Sequence, residues 1–466
     1  VNERTKWRSA DGIRLPLLVG AVLSGAVPSD ATTLHVPSEY PTINEALDWA
    51  ASGDTVLVAA GTYTTAEVRN VDLGSGFLFP IVSLVFLKDG VVVKSEAGPQ
   101  VTVLDLQGQI AFEGYAVIAG FLPSTTTTLD GFTVTGSPVG YSGMVISECG
   151  TVTVRDCVFR DLDSRGVLGV GGGITSGFSN LVIEGTTFRN CVSDQGGGVW
   201  VYEGDGSGRG DVVVDGCTFE NCSQRALDIE GDSLVPQATA TITDCVFRGN
   251  TSNVGAGALL VADYVVTVEG SSFIDNFASS SGGGAAVFSV CNFSVRDCLF
   301  VRNGCGPGNG VGGAINGGPP LGGSATIEGC TFYANSQQWT FSGGAAIRLS
   351  ANAAASCRLA NNIISSSGGA AAIHYTGLIL STLTTSCNVF WDNTAGDVQG
   401  LALDSTDRVV DPMFCDVALD DFTLHEASPC LPANSLGCGQ IGAFGQGCGT
   451  VSLQPTTWAK IKAMYR

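Results

Sequence analysis

The stretch VTVRDCVF (152–159) decides the fold, because the chain writes it again and again. It returns as LVIEGTTF (181–188), VVVDGCTF (212–219), ATITDCVF (240–247), VTVEGSSF (266–273), FSVRDCLF (293–300) and ATIEGCTF (325–332). In the first copy Val152 and Val154 stand two apart, and so do Cys157 and Phe159. The step between the pairs is odd, so the two-residue alternation of a strand changes parity there. One face stays inward only if the chain bends. The bend falls on Arg155-Asp156, Glu184-Gly185, Asp215-Gly216, Thr243-Asp244, Glu269-Gly270, Arg296-Asp297 and Glu328-Gly329. Every one of these pairs ends in Asp or Gly, residues suited to tight corners.

The closing aromatic marks the rungs: Phe132, Phe159, Phe188, Phe219, Phe247, Phe273, Phe300, Phe332 and Phe390, with Ile364 in place of one. Successive marks lie 26 to 32 residues apart. That period is too short for a propeller blade, shows no helical spacing and lacks the Leu ladder of a leucine-rich repeat. The expectation is an all-β parallel solenoid of about 10–12 rungs, stacked roughly 4.8 Å apart with the Phe rings in one interior column.

Outward from this core, LHVPSEYPTINEALDWAASGDTVLVAAGTY (34–63) reads as an N-terminal cap. Thr42 and Glu45 form a capping-box pair, and Ile43, Ala46, Leu47 and Ala50 give a short helix one apolar face. Such a helix covers the first rung, whose apolar end would otherwise meet water. Thr42-Ile43, Ala46-Leu47, Gly53-Asp54-Thr55-Val56 and Gly61-Thr62-Tyr63 resemble the entry segment of right-handed parallel β-helix proteins of the pectate-lyase-like superfold. That likeness implies a right-handed parallel β-helix and says little of activity. Strands are expected near 81–87, 90–94 and 101–104, and a polar turn at 124–128.

A second signature interleaves with the first. GGGI (171–174), GGGV (196–199), GAGAL (255–259), GGGAAV (282–287), GGAI (312–315) and GGAAI (343–347) alternate with FRGN (247–250), FIDN (273–276), FVRN (300–303), FYAN (332–335) and FWDN (390–393). Paired GGA[ILV] and FxxN segments resemble the repeat of chlamydial polymorphic outer-membrane proteins and related bacterial surface β-helices. The resemblance covers roughly 130–395 and implies a surface or secreted protein with an adhesive role. Read physically, Gly permits close backbone approach at a bend, and Asn250, Asn276, Asn303 and Asn335, at one fixed position, can stack into an amide ladder.

Sixteen cysteines raise the question of disulfides. Cys191 and Cys222 take the Asn position on adjacent rungs, which leaves a bridge and two buried thiols both open. Cys217 with Cys245, and Cys298 with Cys330, point inward in register and read as thiols. Cys415, Cys430, Cys438 and Cys448 lie in a Gly- and Pro-containing segment, 411–449, expected to be a cross-linked C-terminal cap. Residues 455–466, within a basic amphipathic tail at 450–466, read either as a helix packed on the cap or as a sorting tag for envelope machinery.

The opening segment carries Arg4, Lys6, Arg8 and Arg14 before an apolar run, Leu15–Leu23, with small residues near 26 and 31. This pattern predicts a signal peptide over 1–31 and an exported chain, secreted, periplasmic or on the cell surface. The organisation is then an entry cap at 32–63, a β-helix over 64–410, the cap and the tail. No stretch reaches transmembrane length. The net charge of −21 disfavours nucleic acid and anionic membranes as partners.

Chemistry is sparse. His35, His374 and His425 lack the Gly-His-Gly setting of polygalacturonases, and CxxC metal spacing is missing. No cofactor is expected. The nearest acidic cluster joins Asp228, Glu230 and Asp232 to Glu203, Asp205 and Asp211 one rung earlier. Asp228 and Glu230 share a strand face and are the candidate catalytic carboxylates. Asp205, Asp211 and Asp228 are candidate ligands for Ca²⁺. The expected function is non-catalytic interaction, adhesin-like, with a polysaccharide or a surface protein. The irregular loops 203–211, 231–238, 304–310, 316–324 and 335–342 would carry the binding. A polysaccharide lyase or hydrolase acting at 203–232, and a stalk without ligand, are the alternatives.

Overall fold

The computed structural model describes residues 31–72, 78–108, 113–122, 126–166, 171–202, 210–231, 238–280, 282–307, 311–338 and 343–449. The expected signal peptide (but for Ala31), the tail and most of loops 203–211 and 231–238 lie outside these residues.

Each corner in the repeat is made by one residue in the left-handed region. Asp156, Gly185, Gly216, Asp244, Gly270, Asp297 and Gly329 have φ between 50° and 67°. Asp and Gly tolerate that conformation better than other residues, which is why they recur there. In the first copy, the corner joins strand Thr151–Arg155 to strand Val158–Arg160. A second left-handed residue follows the Phe strand, as at Asp161, Asn190 and Asn221. The chain thus turns twice for each coil and closes it through a third strand.

Three sheets of thirteen strands result, parallel throughout except where Glu67–Val71 runs antiparallel to Phe79–Phe86. All are solenoid sheets, since each strand pairs with its equivalents one coil before and after. The expected polar turn at 124–128 is corrected: Thr126–Asp130 is a strand, in register with Thr151–Arg155. Its β-branched threonines suit a pleated surface, and the Thr127 hydroxyl accepts from the Gly90 N–H.

Inside, the rings of Phe159, Phe188, Phe219, Phe247, Phe273, Phe300 and Phe332 stack at centroid spacings of 4.7 to 5.2 Å. The spacing is that of the strands themselves. Gly198 makes room for this column, since a Cβ there would lie 2.8 Å from the Phe219 ring and 2.5 Å from the Ala226 carbonyl. Beside the rings, Asn250, Asn276, Asn303 and Asn335 are fully buried. Asn276 Oδ1 accepts from both the backbone N–H and Nδ2 of Asn250, at 3.0 Å each, and Asn276 Nδ2 donates to Asn303 Oδ1 and to the Phe247 carbonyl. The pattern repeats to Asn335.

At the entry, helix Ile43–Trp49 starts where Thr42 Oγ1 accepts from the Glu45 N–H at 3.1 Å. Its buried face is Ile43, Ala46 and Leu47, and Asn44 accepts from the Phe86 N–H.

At the other end, two disulfides form, Cys387–Cys438 and Cys415–Cys448. Of the two alternatives left open for Cys191 and Cys222, the structure has the buried thiols, and one expectation is corrected: Cys430 is a buried thiol and not part of the cross-linking. The hydrogen bond with the neighbouring Cys222 thiol, and burial after it, hold the Cys191 thiol well above its ordinary range, so it stays protonated. The partner of Cys438 is Cys387, a left-handed corner residue of the last full coil.

The 411–449 segment folds back along the outer face of the second sheet. Phe422 packs with Ile274, Leu299 and Val301, Arg302 is paired with Asp420 at 2.6 Å, and the Ala443 N–H donates to Thr331 Oγ1.

Asn276→Ala removes two acceptor contacts and two donor contacts from a dry interior. Urea unfolding is expected to show a loss of roughly 2–4 kcal/mol. Peptide mapping without reductant is expected to recover Cys387 linked to Cys438 and Cys415 linked to Cys448, with Cys191 and Cys222 alkylated only after unfolding.

Candidate functional site

The acidic cluster sits on the outer face of the third sheet. In strand Leu227–Glu230, Leu227 and Ile229 face the core, so Asp228 and Glu230 face out. The preceding strand, Val199–Tyr202, sets Trp200 in register with Asp228 and Tyr202 with Glu230. On the following coil, Leu260 pairs with Asp228. Asp228 therefore lies between two large apolar side chains and has no exposed surface. Trp200 stacks on Tyr202 at 4.4 Å, and Phe178 meets Tyr202 edge-on at 5.7 Å.

Arg225 organises the cluster. It sits in a left-handed turn (φ 71°) and reaches three partners: Asp228 Oδ2 at 2.9 Å, Glu230 Oε1 at 3.3 Å and Gln195 Oε1 at 2.9 Å. The Nη1 hydrogens point to Glu230, and neither Asp228 oxygen accepts an aligned hydrogen bond among the described residues. The Asp228 contact is therefore coulombic. Burial raises the Asp228 carboxyl to about 8; Arg225 pulls against that rise and Glu230 adds to it. At neutral pH Asp228 is mostly a neutral acid, and Glu230 is the more accessible member of the pair, half-buried.

The other sequence candidates lie apart. Asp211 accepts from the N–H and hydroxyl of Thr239, fastening the entry to the first sheet. Glu203, Asp205 and Asp232 lie outside the described residues. Among the described residues no three His, Cys, Asp or Glu side chains gather as a metal site. Asp211 and Asp228, expected to share Ca²⁺, are each taken by other partners. Sequence reasoning missed Arg225 and Gln195. The signal for Arg225 was the SQRAL segment (223–227), which replaces the glycine run just before Asp228; Gln195 carried none.

The outward row of Asp228 continues along the same sheet through Leu260 and Val287. Asn316, Arg348 and His374 occupy one register position on successive coils. Beside them is a pocket of about 240 Å³ lined by Ser289, Asn316, Gly318, Arg348, Ser350 and Asn352 among others.

A family model described as the right handed beta helix region matches residues 90–273 and 172–337, together more than half of the chain. The chain belongs to that family. No curated protein matches the sequence of this β-helix. Among solved structures it is similar to the mannuronan C-5 epimerase AlgE4 A-module of Azotobacter vinelandii, at 13% identity and a TM-score of 0.32, over 77% of this chain and 91% of that one. It is also similar to the PL6 family alginate lyase AlyGC, at 12% identity and a TM-score of 0.36, over 88% of this chain and 57% of the lyase. Likenesses so remote bear on neither chemistry nor substrate.

The raised Asp228 carboxyl sets a stability trend. Its folded value lies above the ordinary 3.8, so the folded state holds a proton that the unfolded chain releases. Between about pH 4 and pH 8 rising pH therefore disfavours folding, by on the order of several kcal/mol for a group so fully buried. Asp228→Asn is expected to remove that slope. Melting curves should show the variant gaining on the parent from pH 5 to pH 8, and parallel curves would contradict the assignment.

Proposed function

We propose that this β-helix is a non-catalytic binding protein of an extracytoplasmic compartment, meeting a polysaccharide or a surface protein along the flank of the coil. The observation that carries the reading is the closure of Asp228. A carboxyl without exposed surface between Trp200 and Leu260 cannot touch a substrate, and the half-buried Glu230 is already held by Arg225. Glycoside hydrolysis needs two carboxylates open to one bond. The aromatic row of Phe178, Tyr202 and Trp200 offers ring faces and edges on the same flank, a surface suited to contact rather than proton transfer.

Two disulfides support an oxidising compartment. Among the described residues no helix is long and apolar enough to cross a membrane. The adhesive role implied by the GGA[ILV] and FxxN segments belongs to this reading.

One observation favours an enzyme instead. A carboxyl held near 8 beside an arginine changes protonation close to neutral pH, as a general acid or base must. A motion that parted Trp200 from Leu260 would expose it.

Incubation with neutral and acidic polysaccharides, with and without Ca²⁺, separates the readings. Retention on one of them without new reducing ends or unsaturated products is the expected result. Product formation that Asp228→Asn or Glu230→Gln abolishes would overturn the non-catalytic reading. Neither retention nor product would favour a stalk.

A further inference from the structure

The row that continues past the acidic cluster contains a cation without a counter-charge. Arg225 is met by Asp228 and Glu230, Arg302 by Asp275 and Asp420, and Arg358 by Glu328. Arg348 is half-buried and makes no ion pair among the described residues. Its Nη1 donates to Asn316 Oδ1 at 3.1 Å, and its buried Nε has no partner. Burial lowers its pKa, with nothing opposing. In a chain with 43 acidic and 22 basic residues, carboxylates to pair with it are plentiful, yet among the described residues none forms an ion pair with it.

Space stands there instead. Gly318 pairs with Ser289 of the preceding coil and leaves an outward position without a side chain. A Cβ built on it would meet only the Ser350 carbonyl, at 3.4 Å. The resulting pocket of about 240 Å³ brings Arg348 together with the side chains of Ser289, Asn316, Ser350 and Asn352. Asn352 Nδ2 donates to the Pro319 carbonyl at 2.9 Å and fixes one lip. The volume falls below the usual range for drug-sized ligands, so the occupant is about one ring or a short chain in size.

We propose that this pocket binds a small hydroxylated carboxylate, with the Arg348 guanidinium holding the carboxylate and the Ser and Asn groups holding the hydroxyls. A guanidinium is suited to carboxylate by charge and by its forked donors. Neutral hydroxyl and amide neighbours add hydrogen bonds without repelling the anion. Recruiting an anion to this acidic chain requires such a local exception in charge. The assignment rests on the binding reading above and names a ligand class and a site for it. The acid is either free or a unit of a longer acidic chain.

Calorimetric titration of the whole protein with D-gluconate, D-glucose and a short oligomer of uronic acid tests this. Gluconate or the oligomer is expected to bind and glucose not; the tighter of the two acids identifies the source. Arg348→Gln is expected to weaken the acid about tenfold or more, the loss of one charge-assisted contact. Gly318→Leu should do the same by filling the pocket, with Arg348 intact. Melting curves for both variants should match the parent, and Arg348→Lys should bind between parent and Gln. Failure of both acids to bind, or undiminished binding by Arg348→Gln, overturns the assignment. Binding retained by these variants would leave the binding reading standing while removing this site. Cleavage of the oligomer by the parent would overturn the non-catalytic reading and leave the pocket in place.

Discussion

The contact on which the coil depends is the buried amide of an asparagine reaching the coils on either side. Asn276 takes two hydrogen bonds from Asn250 and returns one to Asn303 and one to the Phe247 carbonyl. No water is needed to satisfy it, which is the condition for a polar group to sit in a dry core. The amide also fixes register, because a slipped coil would leave four partners without mates. The Phe column beside it contributes apolar burial but tolerates sliding; the amides do not. Together they hold the coils at strand spacing and make every coil's outward residues predictable in position.

Outward positions are therefore where individuality is written. Asp228, and then Asn316, Arg348 and His374, sit at equivalent places on one outward row of the third sheet. The two sites differ in charge logic. Around Asp228 an arginine faces two acidic side chains and the Asp228 carboxyl is closed from solvent. Around Arg348 the arginine lacks an acid and a glycine opens the space. The first arrangement stiffens the flank; the second is prepared to receive something.

Much of this was legible in the sequence, for a physical reason. A parity change between Val154 and Cys157 forces a bend, and a bend of one residue selects Asp or Gly, so the repeat could be read from local rules alone. The Asn positions followed from the same spacing. Less legible were the links between segments distant in sequence. Cys438 bonds Cys387, whose corner position was hidden because Cys replaces the usual Asp or Gly there. The fold-back of 411–449 had a signal that went unused: Ile274, Leu299 and Val301 are apolar at positions where Arg189 and Thr218 face out elsewhere. Apolar outward residues on a solenoid strand call for a cover. Arg225 and Arg348 could not be ranked from sequence, because burial and the presence or absence of a counter-charge are properties of the folded flank.

The central claim is that the inward ladders, shared between consecutive coils, make the middle of the chain one cooperative block. Hydrogen exchange followed by mass spectrometry measures this directly. Peptides spanning 218–222, 246–250, 272–276, 299–303 and 331–335 should be the slowest to exchange and should do so together, far behind the exposed turn at 378–381. If those peptides exchanged at unrelated rates, or as fast as that turn, the coils would be independent and the account contradicted.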